Sequence, residues 1–295
     1  MSASDPSSAP ASPDANAPAP PDFAGHQFPP PLERHYRVVG GRVQTRSLEA
    51  HVVDHCNLTC AQCCSLSPLL PRWLAEPAAL ERDLAHAARL LQPRVFKLVG
   101  GEPLLHPQLV ELAQLARRSR IAPRISVTTN GFLLPRAPDE LWRAVDGFTI
   151  SLYPAPSLSA DAVAVISAQA ERFAVRLNWK RQTHFVTLDR PARSDDTSAV
   201  RAIYDDCWLR ERCHLLRDGR FYTCTRPPHL QTLHGDRFDF AGDGIALDPD
   251  GGAAPLLAYL GRAQPLEACA HCFGGSAQLA PHRLLGRDEL ARARR

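Results

Sequence analysis

The sequence predicts an α/β fold in which a parallel sheet curls into a full or partial barrel, followed by a small α+β domain. The 295 residues are 44% hydrophobic, which is enough for one large core with a small appendage. Strand and helix patterns alternate between about residues 48 and 180, as is typical of parallel βα units. Near residue 200 this alternation stops, and a cysteine-bearing hairpin pattern begins that is followed by a predicted polar loop at about residues 229–253.

The individual elements follow from local patterns. Gly40-Gly41, between two short apolar runs, predicts a β-hairpin because glycine suits the positive φ angles of a two-residue turn. Apolar residues at helical spacing predict a helix over residues 78–91. The predicted strands are residues 48–53, 95–99, 124–129, 147–152 and 173–179, and the other predicted helices are 108–118, 138–145 and 160–172. Active sites of such barrels lie at the C-terminal ends of the strands.

The two ends of the chain differ in composition from its middle. Residues 1–31 contain nine of the 27 prolines and are predicted to be a disordered tail, because they bury too little apolar surface to compensate for the entropy of ordering. The barrel is predicted over residues 32–200 and the small domain over residues 201–278. The basic residues 279–295 are predicted to form a solvated helix or a frayed end.

Composition excludes several classes of protein. A formal net charge of +3 is too near neutral to indicate a nucleic-acid or membrane partner. No apolar run is long enough to span a bilayer, and the first residues lack the pattern of a secretory signal. A cytoplasmic location is therefore expected, where the nine clustered cysteines indicate metal ligation rather than disulfides.

The first group of cysteines is Cys56, Cys60 and Cys63, in the pattern C-x3-C-x2-C directly after a predicted strand. Three thiolates in one short loop can bind three irons of a [4Fe-4S] cluster and leave the fourth iron open for a substrate. A structural zinc site is the alternative. It requires a fourth ligand, and Cys64 is poorly placed for that role because it is adjacent to Cys63.

The next predicted strand ends in the segment Gly100-Gly101-Glu102-Pro103. Two glycines allow a ligand to approach the backbone closely, and Glu102 offers an anion for an ammonium group. Together with C-x3-C-x2-C, this segment resembles the radical S-adenosylmethionine (SAM) superfamily over roughly residues 48–180. The resemblance implies a partial (β/α)6 barrel in which a [4Fe-4S] cluster reductively cleaves SAM to a 5′-deoxyadenosyl radical. It also implies that the Gly-Gly-Glu-Pro segment binds the amino group of SAM.

The resemblance extends to the ends of later strands. Asn130, Ser151 and Asn178 stand where this family commonly contacts the ribose or carboxylate of SAM, although polar residues at strand ends often only cap turns. One position departs from the family, since Gln62 stands where many members have an aromatic residue near the adenine. Lys97 is interpreted either as a buried salt-bridge partner or as a contact to SAM or the substrate.

A second group of cysteines follows the barrel. Asp218-Gly219 predicts a hairpin in which cross-strand partners have numbers summing to 437, and this sum places Cys213 opposite Cys224. Cys269 and Cys272, in a C-x2-C pattern, complete four thiolates that could bind a zinc ion or a [4Fe-4S] cluster.

The order of these cysteines is similar to the twitch domains of radical SAM enzymes, which implies one auxiliary [4Fe-4S] cluster on Cys213, Cys224, Cys269 and Cys272. Cys207, six residues before Cys213, is an alternative ligand or a core thiol. With four cysteine ligands the auxiliary cluster has no open iron, so an electron-transfer role is the hypothesis.

The predicted function is radical-based oxidation, decarboxylation or rearrangement of a small biosynthetic intermediate, with an electron donor such as flavodoxin or ferredoxin. The first alternative is a radical SAM maturase of a ribosomally made precursor peptide. It is disfavoured because residues 1–31 look unfolded and offer no peptide-recognition domain. A non-catalytic Fe–S or zinc scaffold is the alternative from another class. No residue is predicted to be the catalytic acid or base, although Cys64, His106, Tyr153, Lys180 and Cys207 are candidates.

Overall fold

The computed structural model describes residues 36–294, and the predicted disordered tail at residues 1–31 lies outside them. The strands of the described chain are β1 (Val38–Val39), β2 (Arg42–Thr45), β3 (Leu48–Val53), β4 (Leu91–Pro93), β5 (Phe96–Gly100), β6 (Ile125–Thr129), β7 (Gly147–Leu152), β8 (Arg176–Arg181), β9 (His184–Val186), β10 (Leu215–Arg217), β11 (Arg220–Tyr222), β12 (Gly244–Ala246) and β13 (Leu279–Pro281). The helices are α1 (Pro77–Leu90), α2 (Leu109–Arg118), α3 (Asp139–Ala144), α4 (Ala160–Arg172), α5 (Thr197–Asp206), α6 (Arg226–His234), α7 (Ala253–Leu260), α8 (Glu267–Ala270) and α9 (Arg287–Ala293). In the part of the chain described, no helix is long and apolar enough to cross a bilayer.

The predicted α/β fold is confirmed by an eight-stranded sheet with the order β12-β11-β10-β3-β5-β6-β7-β8. The strands from β10 to β8 in this order pair in parallel, and α1 to α4 connect β3 through β8. Five of these six parallel strands come from the predicted barrel region. The sixth, β10, comes from the predicted small domain and pairs with β3 on the side opposite β5. The partial barrel is therefore completed by residues far along the chain.

Helix α2 illustrates why these segments pack on the sheet. Its buried residues Leu109, Leu112, Ala113 and Ala116 recur at the three- and four-residue spacing that makes one apolar face. The other helices that connect the parallel strands have the same spacing of apolar residues and cover one face of the sheet. Side chains along each strand alternate between that face and the barrel interior. The main core lies between that face and the helices, and includes Phe96, Trp142 and Phe148.

Most predicted elements occur where expected, but two predictions for the segments between residues 173 and 253 were wrong. β8 begins at Arg176 rather than at residue 173, because α4 is followed by Phe173 and by Ala174 at φ +54°. The predicted polar loop at residues 229–253 contains most of α6 and all of β12. Pro227 and Pro228 look like helix breakers, yet they lie in the first turn of α6, where proline is tolerated.

The end of the chain also departs from the prediction of a solvated helix or frayed end. Helix α9 is present, but the residues before it form β13, which pairs antiparallel with β9. Beyond β13, Leu284 forms an antiparallel bridge with Cys60 in the first cysteine loop. Residues 279–285, which we call the C-terminal strap, thus connect the chain end to that loop.

Buried polar side chains join the barrel to the C-terminal part. Arg217 in β10 forms a bidentate ion pair with Asp54, with N–O distances of 2.8 and 2.9 Å, and its guanidinium lies over the Trp73 ring. Beside them, His229 of α6 is 3.0 Å from His51 of β3. The side chains of Arg217 and Asp54 are 7% and 0% exposed, so this pair is shielded from solvent screening.

Replacing Arg217 with methionine should lower the free energy of unfolding by about 3–5 kcal/mol, because Asp54 would remain as a buried charge without its partner. Anaerobic urea unfolding followed by circular dichroism measures the change. Arg89→Met breaks a pair with Asp250 that is exposed on both sides, and it should change the value by less than about 1 kcal/mol. A loss below about 1 kcal/mol in Arg217→Met would contradict this prediction.

Candidate active site

The first cysteine loop leaves β3 at the C-terminal edge of the parallel sheet. Cys56 and Cys63 are partly exposed and Cys60 is buried, so the loop presents its thiols at the mouth of the barrel. Gln62 adopts φ +58° within this loop, and its side-chain oxygen is buried without a hydrogen-bond partner among residues 36–294. The left-handed turn at Gln62 falls directly before Cys63, at the position where an aromatic residue was expected from the resemblance.

Hydrogen-bond donors surround the sulfurs of this loop. The Leu58 N–H donates to Cys56 Sγ at 3.4 Å, and Asn130 Nδ2 lies 3.7 Å from the same sulfur. His282 Nε2, from the C-terminal strap, is 3.3 Å from Cys60 Sγ. Hydrogen bonds to sulfur are a regular feature of Fe–S ligation, so these donors suit cluster-bound thiolates.

The two glycines at the end of β5 are required by the backbone that leads into the cysteine loop. A Cβ atom on Gly100 would lie 2.1 Å from the Val53 carbonyl oxygen, and one on Gly101 would lie 2.1 Å from the His55 oxygen. Gly100 also has φ +147°, which side chains rarely adopt. The glycines thus let β5 pass close to the backbone that leads to Cys56, whereas the sequence suggested only a close approach to a ligand.

Glu102, whose carboxylate was predicted from sequence to meet an ammonium group, is enclosed in the structure. The side chain is 0% exposed and accepts hydrogen bonds from Leu104 N, Thr129 Oγ1 and Asn130 N at 3.1, 2.7 and 2.8 Å. Burial raises the pKa of Glu102 to about 7. Glu102 therefore ties the ends of β5 and β6 together, while Pro103 starts the short 3-10 turn that follows.

The other predicted SAM contacts lie at different depths in the barrel. Asn130 is buried and its amide donates to Asn57 Oδ1 at 2.6 Å, next to Cys56. Ser151 lies near the end of β7 and is 9% exposed. The prediction that Asn178 ends its strand was wrong, because β8 continues to Arg181. Asn178 lies mid-strand opposite Thr149, to which it donates a hydrogen bond at 3.3 Å.

The second group of cysteines forms around one small cavity in the C-terminal part. Its lining includes the four thiol residues Cys207, Cys224, Cys269 and Cys272. Cys213 is absent from this lining and lies beside the Glu49–Lys97 ion pair inside the barrel. The structure thus brings Cys207 to the other three cysteines, where the sequence interpretation placed Cys213.

The hairpin explains this exchange. Its pairs Leu215–Tyr222, Leu216–Phe221 and Arg217–Arg220 all sum to 437, so the predicted register is confirmed. The ladder ends at Leu215, however, and Cys213 two residues earlier donates its N–H to Leu209 O in a short 3-10 helix. Since β10 pairs with β3, the chain before it follows the barrel while Cys224 turns away into α6.

Two arginines, Arg226 fully buried and Arg210 half-buried, line the same cavity. Arg226 is 2% exposed and forms an ion pair with Asp189, yet its Nε and Nη1 have no hydrogen-bond partner among the described residues. Arg210 Nη1 is likewise buried without a partner in that part of the chain. Buried charged donors are normally satisfied, so these groups indicate an anion in the cavity. Four thiolates around an iron–sulfur cluster provide such an anion.

Neither cysteine group brings three of its sulfurs within 4.8 Å of one another among residues 36–294. Thiolates on one zinc lie about 3.8 Å apart, given Zn–S bonds of about 2.3 Å in a tetrahedron. Within residues 36–294, the only group of three or more His, Cys, Asp or Glu ligand atoms that all lie within 4.8 Å is His51, Asp54 and His229. Arg217 already holds both oxygens of that carboxylate. The cysteines therefore fit clusters, in which the irons and sulfides separate the ligands, better than zinc.

Burial favours the protonated form of four of the cysteines in these groups. It raises the pKa of Cys60, Cys63 and Cys269 to about 12, and that of Cys224 well above its ordinary value. Metal ligands must be thiolates, so cluster binding at either group displaces protons.

Asp243 fixes the start of the helix that carries Cys269 of the second cysteine group. Its two carboxylate oxygens accept the N–H groups of Glu267 and Ala268 at 2.6 and 2.8 Å, at the start of the helix that carries Cys269. The sequence analysis did not identify Asp243, which lies 26 residues before Cys269 in a segment interpreted as a loop.

Replacing Asp243 with alanine should weaken retention of metal at the second cysteine group by about 10- to 100-fold, because α8 loses the acceptor that fixes its first turn. Iron content after dialysis against a graded series of chelator concentrations measures the change. Asp239→Ala removes an exposed carboxylate whose hydrogen bond within the described chain is to Ala241 N, and it should leave retention unchanged. Equal retention in both variants would contradict the supporting role.

The barrel interior beside the first cysteine loop is polar. Lys97 forms a 2.9 Å ion pair with Glu49, with side chains 27% and 12% exposed, and Cys213 lies next to it. Ser126 pairs with Lys97 on one side and with Gly147, two residues before Thr149, on the other. Thr149 in turn pairs with Asn178. Because paired residues share a face and side chains alternate along a strand, all of these side chains lie on the same face of the sheet. This interior offers both charges and hydroxyl groups to a bound molecule.

Residues 51–153 match the family model described as the radical SAM superfamily. GTP 3′,8-cyclase of Streptomyces coelicolor is 37% identical over 120 residues, which cover 38% of this chain and 34% of that protein. GTP 3′,8-cyclase of Mycobacterium marinum is 31% identical over 159 residues, which cover 53% of this chain and 37% of that protein. The matched segment spans about a third of the length of these curated relatives.

Among solved structures, that of BtrN in complex with AdoMet and 2-DOIA aligns with 79% of this chain and 95% of that chain. Its sequence identity is 15% and the TM-score is 0.49.

Proposed function

We propose that the chain, whose residues 51–153 match the radical SAM superfamily model, is an enzyme that reductively cleaves SAM and abstracts hydrogen from a small biosynthetic intermediate. The observation that carries this proposal is the close packing of Gly100-Gly101 against the backbone of Val53 and His55, which leads directly into the C-x3-C-x2-C loop at the C-terminal edge of the sheet. That loop carries the thiols of Cys56, Cys60 and Cys63 at the mouth of a barrel with a polar interior.

A [4Fe-4S] cluster held by Cys56, Cys60 and Cys63 would supply the electron that breaks a C–S bond of SAM. The chain's own contribution is to hold and shield that site. Asn130 links β6 to the loop through Asn57 and Cys56, which fixes the first thiolate. Because the Glu102 carboxylate is enclosed, the SAM ammonium would be bound by backbone carbonyls of this segment rather than by that side chain.

We assign an auxiliary [4Fe-4S] cluster to Cys207, Cys224, Cys269 and Cys272. Four cysteine ligands leave no iron open to substrate, so this site suits electron transfer. Its function would be to accept the electron left on a substrate radical, which makes the net reaction a two-electron oxidation. The N–H groups of Gly274 and Gly275 donate to the sulfurs of Cys272 and Cys207 at 3.2 and 3.3 Å and support this ligand set.

The substrate we propose is a small polar molecule bound in the barrel interior. Glu49, Lys97 and Thr149 line that interior and would bind its hydroxyl, amino or acidic groups. An electron donor such as flavodoxin or ferredoxin would reduce the cluster at Cys56, Cys60 and Cys63 for each turnover.

Formation of 5′-deoxyadenosine by the anaerobically reconstituted protein tests the proposal. Small-molecule and peptide fractions of a host extract are added separately, with dithionite as the reductant. Stimulation by the small-molecule fraction is the expected result. Stimulation by the peptide fraction alone would replace it with a peptide-modifying enzyme, and no cleavage with any low-potential reductant would overturn SAM cleavage altogether.

A further inference from the structure

The C-terminal strap, residues 279–285, lies directly against the first cysteine loop although more than 200 residues separate them in sequence. The Ala61 N–H donates to Arg283 O at 2.9 Å, and the Leu285 N–H donates to Thr59 O at 2.7 Å. Thr59 Oγ1 donates in turn to Leu285 O at 3.0 Å. These bonds flank Cys60 on both sides and fix the strap relative to its thiol.

Within the strap, His282 points at that thiol. Its Nε2 is 3.3 Å from Cys60 Sγ, and the two residues are 9% and 8% exposed. The imidazole stacks on the Tyr153 ring at a centroid distance of 4.5 Å and lies 5.3 Å from the Phe185 ring. Its backbone N–H is bound to Thr183 O at 2.9 Å. The ring is thus held by two aromatic neighbours and its own backbone.

The direction of the His282–Cys60 hydrogen bond depends on the state of the sulfur. A free thiol can donate to an imidazole nitrogen, but a sulfur bound to iron has no proton and can only accept. With a cluster in place, His282 therefore has to carry its proton on Nε2, and the bond becomes N–H···S. Such bonds draw negative charge from the sulfur and favour the reduced, more negative cluster.

We propose that His282 is a positioning residue that donates a hydrogen bond to the Cys60 sulfur and raises the reduction potential of the cluster on the first cysteine loop. This inference rests on the proposed function in one respect, namely that Cys56, Cys60 and Cys63 bind that cluster. Because His282 lies in the C-terminal strap, the reduction potential of the cluster on the first cysteine loop then depends on the end of the chain. Removal of the donor makes the cluster harder to reduce without removing a ligand.

The test is an EPR-monitored redox titration of the full-length, anaerobically reconstituted protein, following the reduced-cluster signal that changes when SAM is added. His282→Phe keeps an aromatic ring but removes the donor, and its midpoint potential should be more negative than that of the wild type at equal iron content. His282→Gln restores an N–H donor and should recover part of the shift. His184→Phe is the matched control, because His184 is exposed on the neighbouring β9 and bonds only Thr183 in the described structure.

A second measurement applies if the His282 variants bind too little iron for a redox titration. In wild-type protein labelled with 15N-histidine, pulsed EPR of the reduced cluster should show a histidine nitrogen coupled to the electron spin, and His282→Gln should lose it. No coupling in the wild type, or equal potentials in the wild type and His282→Phe, would overturn the role of His282. If iron content is unchanged after alanine replaces Cys56, Cys60 and Cys63 together, the proposed function fails instead.

Discussion

Alanine at Cys60 should reduce SAM cleavage by at least about 100-fold and lower the iron content from about eight to about four per chain. Cys60 is the most enclosed thiol of its loop, and its backbone bridges to Leu284 of the C-terminal strap. Cys64 is poorly placed to replace it, because it follows directly after Cys63 and is exposed. Loss of one of three ligands therefore leaves an incomplete site.

Cys64→Ala is the matched control in the same loop. Its thiol lies 3.8 Å from Ser65 Oγ and is open to solvent, so its removal should leave iron content and cleavage near wild-type values. Anaerobic iron and sulfide analysis, together with 5′-deoxyadenosine formation, measures both effects. A Cys60→Ala protein that still cleaves SAM at more than about a tenth of the wild-type rate would contradict the assigned ligand set.

The second large effect separates two cysteines only six residues apart. Cys207→Ala should lose about four irons per chain, whereas Cys213→Ala should keep about eight. The reason is that Cys207 lines the cavity with the other three thiols, while Cys213 lies beside Glu49 and Lys97 in the barrel. Cysteine-to-alanine is the same chemical change in both cases, so each variant is the control for the other.

The same pair tests the function of the auxiliary site. Cys207→Ala should still cleave SAM but form little oxidised product, because the substrate radical loses its electron acceptor. Cys213→Ala should retain the acceptor, and any change in its product yield would report on the barrel interior. Product yield that is unaffected in Cys207→Ala would exclude an electron-accepting role, and iron loss in Cys213→Ala alone would restore the ligand set predicted from sequence.

The sequence was sufficient for features that depend on neighbours in the chain. The strand at residues 48–53, the hairpin register summing to 437 and the C-x3-C-x2-C loop are all local patterns, and the structure has each of them. The orientation of Glu102 could not be predicted, since the same glutamate after two glycines can face a ligand or the interior. Its burial depends on Thr129 and Asn130, which approach it only in the folded sheet.

The choice between Cys207 and Cys213 was beyond local patterns for a similar reason. A two-residue turn fixes which positions would face each other, but it does not fix how far the ladder continues. The ladder stops at Leu215 because β10 pairs with β3 on its other side and draws the preceding chain toward the barrel. His282 gave no sequence signal either, since its contact with Cys60 spans 222 residues.

The pairing of β10 with β3 has a consequence for how the chain is made. During synthesis β3 emerges first, while its neighbour at Leu215–Arg217 follows roughly 160 residues later. Until then the β3 edge is an open template for other strands, and closing so long a loop slows folding. We expect the nascent chain to depend on chaperones over that interval, and the barrel to gain protection against hydrogen exchange only after β10 has docked.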